Sequence, residues 1–178
     1  EQIFDGELLV RELTQGIGWL ETEMGYTPRC AQHTDLPGHT IQMPQILVKC
    51  GIKFIAYSRN RPPVPLHRWK APDGSIVLAC NHVHHYNWGN VFRVPLEEAE
   101  KQLLPELQGP FRKLWPARPV LVPEEHDLEW IDPAMASRIE EWNRAHGDAA
   151  HARLATLGEF FTAVEESEDK ETLPVYQG

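Results

Sequence analysis

Three histidine and carboxylate groupings could carry chemistry. His33, Asp35 and His39 surround a Pro37-Gly38 turn that leads into a helix N-terminus, where free N–H groups favour oxygen ligands. The H-x-D spacing of His33 and Asp35 puts both on one face of an extended strand, as a divalent metal needs. His82, His84 and His85 form a second set with an H-x-H pair. Zinc takes three or four protein ligands with supporting partners, so for either set a metal role stands against the alternatives of chance spacing and exposed surface histidines. Asp35 and Asp127 are the third grouping, a pair of carboxylates of the kind that work together at a sugar centre.

Asp127 is the better placed candidate active-site carboxylate; the alternative is a surface or capping aspartate beside Glu124, Glu125 and Glu129. Arg59 could hold a carboxylate or sugar hydroxyls, or form a surface salt bridge worth at most ~1 kcal/mol. Trp69, Tyr86 and Trp88 could stack on a sugar face, with core packing as the alternative. Trp142, Phe160 and Phe161 fall on helical stripes and belong to the core. Asp35 has two readings as well. As a site residue it points into a cleft shared with Arg59 and His39; as a cap it accepts from N–H groups of the 38–42 turn.

The elements that must position these residues follow from periodicity. Leu9, Leu13, Ile17, Leu20 and Met24 recur every three or four residues, an amphipathic helix from Asp5 to Met24 that Gly25 stops. RCAQH (29–33) reads as a strand, IQMPQILVKC (41–50) as a helix ended by Gly51, and IKFIAYS (52–58) as a buried strand. LHRWK and SIVLACNHV, joined by Ala71-Pro72-Asp73-Gly74, read as a hairpin inserted after that strand. Beyond it come a helix over 95–108 that Pro105 should kink or end, a strand RPVLV (118–122) and a helix over 133–145. A possible strand ARLAT precedes a helix opened by the T-x-x-E box of Thr156 and Glu159 and running to about Ser167.

Repeated strand-helix units imply a largely parallel sheet covered by helices, with the site lined by residues just past strand C-termini. Four segments should then meet at one rim: HTDLPGHT, Ser58-Arg59-Asn60-Arg61, NHVHHYNW and EEHD. LPVYQG at 173–178 reads as a strand entering something absent, so the chain is expected to be one domain, residues 1–178, cut from the interior of a larger α/β domain.

Composition narrows the partners. Seventeen Lys+Arg against twenty-six Asp+Glu leave a net charge of -9, the wrong sign for releasing counterions from a phosphate backbone, so nucleic acid is excluded. Residues 124–178 hold 14 acidic and 4 basic groups, a solvated acidic face. No apolar run is long enough to span a membrane. Cys30, Cys50 and Cys80 lack a C-x-x-C spacing and are odd in number, so a reducing, cytoplasmic compartment is expected.

The ordered series DGELLVREL, Asp35-Leu-Pro-Gly-His39-Thr with MPQIL and Gly51, Arg59, RWKAPDGS, VLVPEEHD, ATLGEFFTAVEE and LPVYQG resembles the N-terminal catalytic domain of family 38 glycoside hydrolases, the zinc-dependent α-mannosidases. The resemblance covers nearly the whole chain. It implies part of a seven-stranded β/α barrel, retaining hydrolysis of α-mannosides, an aspartate nucleophile that binds zinc, and zinc ligands of the H-x-D, aspartate and histidine kind. By position, Asp35 and His39 match the family's D-x-x-G-H loop, Arg59 its arginine after the next strand, and Asp127 its acidic loop. That loop usually carries Gly-Asp-Asp where this chain has Glu125-His126-Asp127.

The family's H-x-D lies before anything matching Glu1, its nucleophile falls by spacing at or just before residue 1 with Asp5 nearest in the chain, and its later zinc histidine follows LPVYQG. The resemblance thus implies that the zinc ligands lie in the rest of the parent polypeptide, and that Asp35, His39, Arg59 and Tyr86 bind an α-mannoside. The isolated chain is expected to be inactive. A non-catalytic carbohydrate-binding module built on Trp69, Tyr86 and Trp88 is the competing expectation, and a metal hydrolase centred on His82, His84 and His85 a third.

Overall fold

The computed structural model describes residues 5–59, 62, 64–167 and 172–177. Helix α1 (Gly6–Met24) begins where the Asp5 side chain accepts from the Leu8 N–H at 2.8 Å and ends at Gly25. Gly25 takes φ 62°, the left-handed conformation that glycine adopts without a Cβ penalty, and so closes the helix. The strands are β1 (Cys30–His33), β2 (Phe54–Tyr57), β3 (Leu66–Lys70), β4 (Ile76–Asn81) and β5 (Val175–Tyr176), in the sheet order β1-β2-β4-β3-β5. The neighbours β1/β2, β2/β4 and β3/β5 are parallel, and β3/β4 is antiparallel.

Two expectations about the sheet are corrected here. The β3–β4 hairpin is no insertion: β4 pairs with β2 along its length, so the second arm of the hairpin is itself a central strand. In the segment read as a strand from 173, Val175 and Tyr176 pair with Arg68 and Trp69 of β3, so within this chain it already has a ladder partner.

Side-chain alternation along β2 and β4 builds the two faces. Phe54, Ala56 and Cys80 face α6 (Leu157–Glu166) and the α4 region (Pro110–Leu114), packing on Phe160, Phe161, Val164, Phe111 and Trp115. Ile55, Tyr57, Val77 and Ala79 face α2 (Met43–Lys49), with Met43, Leu47 and Trp69, and the inner stripe of α1, Leu9, Leu13 and Ile17, lies against them. A third cluster joins the 3₁₀ turn Trp88–Phe92, α3 (Leu96–Gln108) and α5 (Met135–His146) around Phe92, Leu103, Ile139 and Trp142.

Helix α3 runs through Pro105 to Gln108, against the expectation of an early end. Pro105 and Lys101 are both exposed, so the carbonyl deprived of its donor is left to solvent rather than buried. RPVLV and ARLAT form no strand: Arg118 and Pro119 lie in a bend and the rest joins no ladder among the described residues. Their apolar residues still serve: Val120, Leu121 and Val122 pack on the clusters beneath the rim. Apolar character alone does not supply a ladder partner.

Candidate active-site rim

Strands β1, β2 and β4 are parallel and end together at His33, Tyr57 and Asn81, so the segments that follow them emerge on one edge of the sheet. There the Arg59 Nε–H donates to Asp35 Oδ1 at 2.5 Å. His85 Nε2 lies 3.8 Å from the same oxygen. Arg59 holds the Asp35 carboxyl below the usual carboxylate range, with His85 adding to the effect, and the pair raises Arg59 in turn. Both side chains are about half exposed, at 47% and 48%, so the pair is open to solvent. Asp35 is turned toward Arg59, while at the start of α2 the Gln42 N–H is served by Thr40 Oγ1 at 3.3 Å.

The neighbouring loop arrives through Tyr86. Its hydroxyl donates to Asp127 Oδ2 at 2.7 Å, and its ring packs tilted against that of His85, with centroids 4.1 Å apart. The bond to Asp127 raises the Tyr86 hydroxyl, so it stays a donor. A second thread runs from β1: Thr34 Oγ1 donates to Glu125 Oε2 at 2.5 Å, and the Glu125 N–H donates to the Tyr86 carbonyl at 3.0 Å. All four expected segments thus meet, although Asn60 and Arg61 lie outside the described residues.

The acidic loop is anchored from behind. Arg93 bonds Glu124 at 2.7 Å and Glu129 at 2.9 Å, and the nearly buried His126 ring sits between the same two carboxylates. Thr34, Glu125 and His85 were not singled out from the sequence as partners. Thr34 and Glu125 are 91 positions apart, and no local pattern connects them.

His39 lies apart from the Arg59–Asp35 pair in its contacts. Its ring stacks on His33 at 5.1 Å and meets Tyr57 and Trp69 edge-on. Of the three aromatics offered as a sugar platform, Trp69 is core at 4% exposure, and Trp88 packs on His84 and Phe111. Only Tyr86 among them stands on the rim, so the aromatic binding-module arrangement is not formed.

The histidine cluster does not converge either. His82 is buried against Ser58, His84 pairs with Glu106 at 3.2 Å, and His85 turns to Asp35. Among the described residues no group of three or more His, Cys, Asp or Glu side chains could hold a metal ion. Zinc's need for three or four ligands is therefore not met by these residues alone. Asp5, the nearest in-chain candidate for the nucleophile, is spent on capping α1.

Two clefts lie away from this rim. One of about 440 Å³ opens at the opposite end of the strands, between Arg29, Cys30, Phe54 and α6, and has no paired carboxylates at a strand C-terminus.

The model of the glycosyl hydrolases family 38 N-terminal domain matches residues 1–178. The chain belongs to that family. The family-38 segment also superposes on the crystal structure of an alpha-mannosidase from Enterococcus faecalis V583 with a TM-score of 0.83 and 18% identity. That match covers 97% of this chain and 20% of the other, so the segment spans about a fifth of that protein's length. No curated protein sequence matches the chain. Family membership accounts for a mostly parallel sheet whose C-terminal edge gathers the polar loops, since that edge is where such folds place chemistry.

Proposed function

We propose that this segment supplies the sugar-holding rim of a retaining α-mannosidase, with Asp127 as an active-site carboxylate and Asp35, Arg59 and Tyr86 on the substrate. The observation that carries the reading is the Arg59–Asp35 pair joined through His85 and Tyr86 to Asp127 on one strand-end edge. Cleaving a glycosidic bond builds positive charge at the sugar carbon, and a carboxylate kept ionised by a fixed guanidinium opposes that charge without a change of protonation. Asp35 fits this role. Asp127, hydrogen-bonded by a neutral phenol, is the partner carboxylate. His39 acts from behind the loop, packed among His33, Tyr57 and Trp69.

Further polypeptide packs against this segment in the parent protein. Helix α1 has no fully buried residue and exposes Trp19 and Met24, Tyr26 just beyond it is exposed too, and β1 has a ladder partner on one side only among the described residues. Zinc, which membership of family 38 implies, would be held mainly by that further polypeptide. The three free cysteines support a reducing, cytoplasmic setting.

The test is turnover of an aryl α-mannoside by the parent protein. Asp35→Asn and Asp127→Asn should each lower kcat by more than about a hundredfold, as loss of a group acting in the transition state does, with little change in melting temperature. A lowered melting temperature with normal turnover in Asp35→Asn would overturn the site assignment. The isolated 178-residue chain should show no turnover and bind substoichiometric zinc by metal analysis. Activity in the isolated chain, or one tightly bound zinc per chain, would place the complete centre within it.

A further inference from the structure

The residues that close β4 have no part in the chemistry above, yet they grip the backbone that carries Arg59. Asn81 and His82 are 2% and 3% exposed, a buried polar pair at the end of an otherwise apolar strand. The Asn81 side-chain Nδ2 donates to the carbonyls of Tyr57 and Arg59, both at 3.3 Å. The His82 N–H donates to the Tyr57 carbonyl at 2.8 Å, and its ring Nδ1 bonds Ser58 Oγ at 3.1 Å. Three successive residues, Tyr57, Ser58 and Arg59, are thus each held by one or both members of the pair.

His82 also governs the other side of Asp35. Its carbonyl accepts the His85 N–H at 3.0 Å, closing a turn in which His85 takes φ 68°, a conformation that a side-chain-bearing residue enters only when its surroundings impose it. That turn brings His85 Nε2 to within 3.8 Å of Asp35 Oδ1. Burial pushes the His82 ring down to about 4, so it stays neutral at ordinary pH and adds no repulsion beside Arg59.

We propose that Asn81 and His82 are positioning residues that hold Arg59 and His85 against the Asp35 carboxylate. On a free loop the origin of a long arginine side chain would wander; bonds to the Tyr57 and Arg59 carbonyls and to the Ser58 hydroxyl fix the backbone from which Arg59 reaches Asp35. The inference deepens the glycosidase reading, but its principal test does not depend on that reading.

The principal test measures hydrogen exchange at the Arg59 Nε–H by nitrogen-edited NMR on the 178-residue chain. The Trp142 Nε1–H, bonded to the Ala150 carbonyl at 2.7 Å in a separate cluster, is the internal reference. Asn81→Ala and His82→Ala should speed exchange at Arg59 by about tenfold or more while Trp142 keeps its rate, the pattern of local rather than global opening. His82→Asn, whose amide can still bond Ser58, should restore most of the protection.

An unchanged Arg59 rate in folded Asn81→Ala, or an equal acceleration at Arg59 and Trp142, would overturn the proposal. If the alanine variants do not fold, Ser58→Ala removes only a hydroxyl and is judged by the same two outcomes. In the active parent protein, Asn81→Ala should lower kcat with KM nearly unchanged. Absence of glycosidase activity in the parent would sink the functional reading and leave the exchange result standing.

Discussion

Arg59 keeps Asp35 charged, and the consequence is an acid limit. The folded pKa of Asp35 lies below its unfolded value, so the pair's contribution is present above the ordinary carboxylate range and is lost as pH falls through the depressed folded value. Arg59→Met should therefore raise the Asp35 pKa in a carboxyl NMR titration and move the acidic limb of kcat/KM in the parent protein to higher pH. No movement of either would show that Arg59 does not set that charge. His67 and His82 act over a different window. Burial lowers both to about 4, against about 6.5 when unfolded, so unfolding takes up protons between these values. Stability should fall as pH drops from about 6.5 to 4, and His67→Asn should flatten that slope in urea titrations.

Among the elements, α6 shows how a local signal sets a boundary. Thr156 Oγ1 accepts from the Glu159 N–H at 3.2 Å, and Glu159 Oε2 accepts from the Thr156 N–H at 2.7 Å, the reciprocal bonds its T-x-x-E spacing predicts. Thr156→Ala should cost about 1 kcal/mol in chemical denaturation, the usual loss for a helix cap. The same reasoning succeeded for α1, where Asp5 and Gly25 supply both ends, and failed for RPVLV. A cap is satisfied within a few residues of chain. A strand needs a partner brought from elsewhere, and RPVLV is given packing neighbours but no ladder.

For the whole molecule, the sheet and its two helical layers depend on residues that fill both faces of β2. The Phe161 ring stacks on Phe54 at 4.9 Å and is fully buried, so Phe161→Ala should cost about 3–5 kcal/mol, measured by urea unfolding. The same change at Trp19, 58% exposed on α1, should cost little in the isolated chain and more in the parent protein. Equal effects in both would remove the argument that further polypeptide covers α1.

What the residues determined by themselves was the set of periodic elements and the edge on which the polar loops meet. Period 3.6 marks α1, α2, α5 and α6. Buried apolar runs mark β2 and β4, and strand direction then places Asp35, Arg59 and Tyr86 on one edge, which Asp127 reaches although RPVLV forms no strand. Only the tertiary structure decided which side chains face one another across the chain. It set Asp35 against Arg59 rather than against the α2 turn, sent His82, His84 and His85 three ways, and put Trp69 in the core. Nor could spacing show that β4 is central, because the Pro-Asp-Gly turn announces a hairpin without saying which arm will pair with β2. Local chemistry is written in adjacent residues; long-range pairing depends on how loops and packed faces bring distant residues together, and no short window of sequence contains both partners.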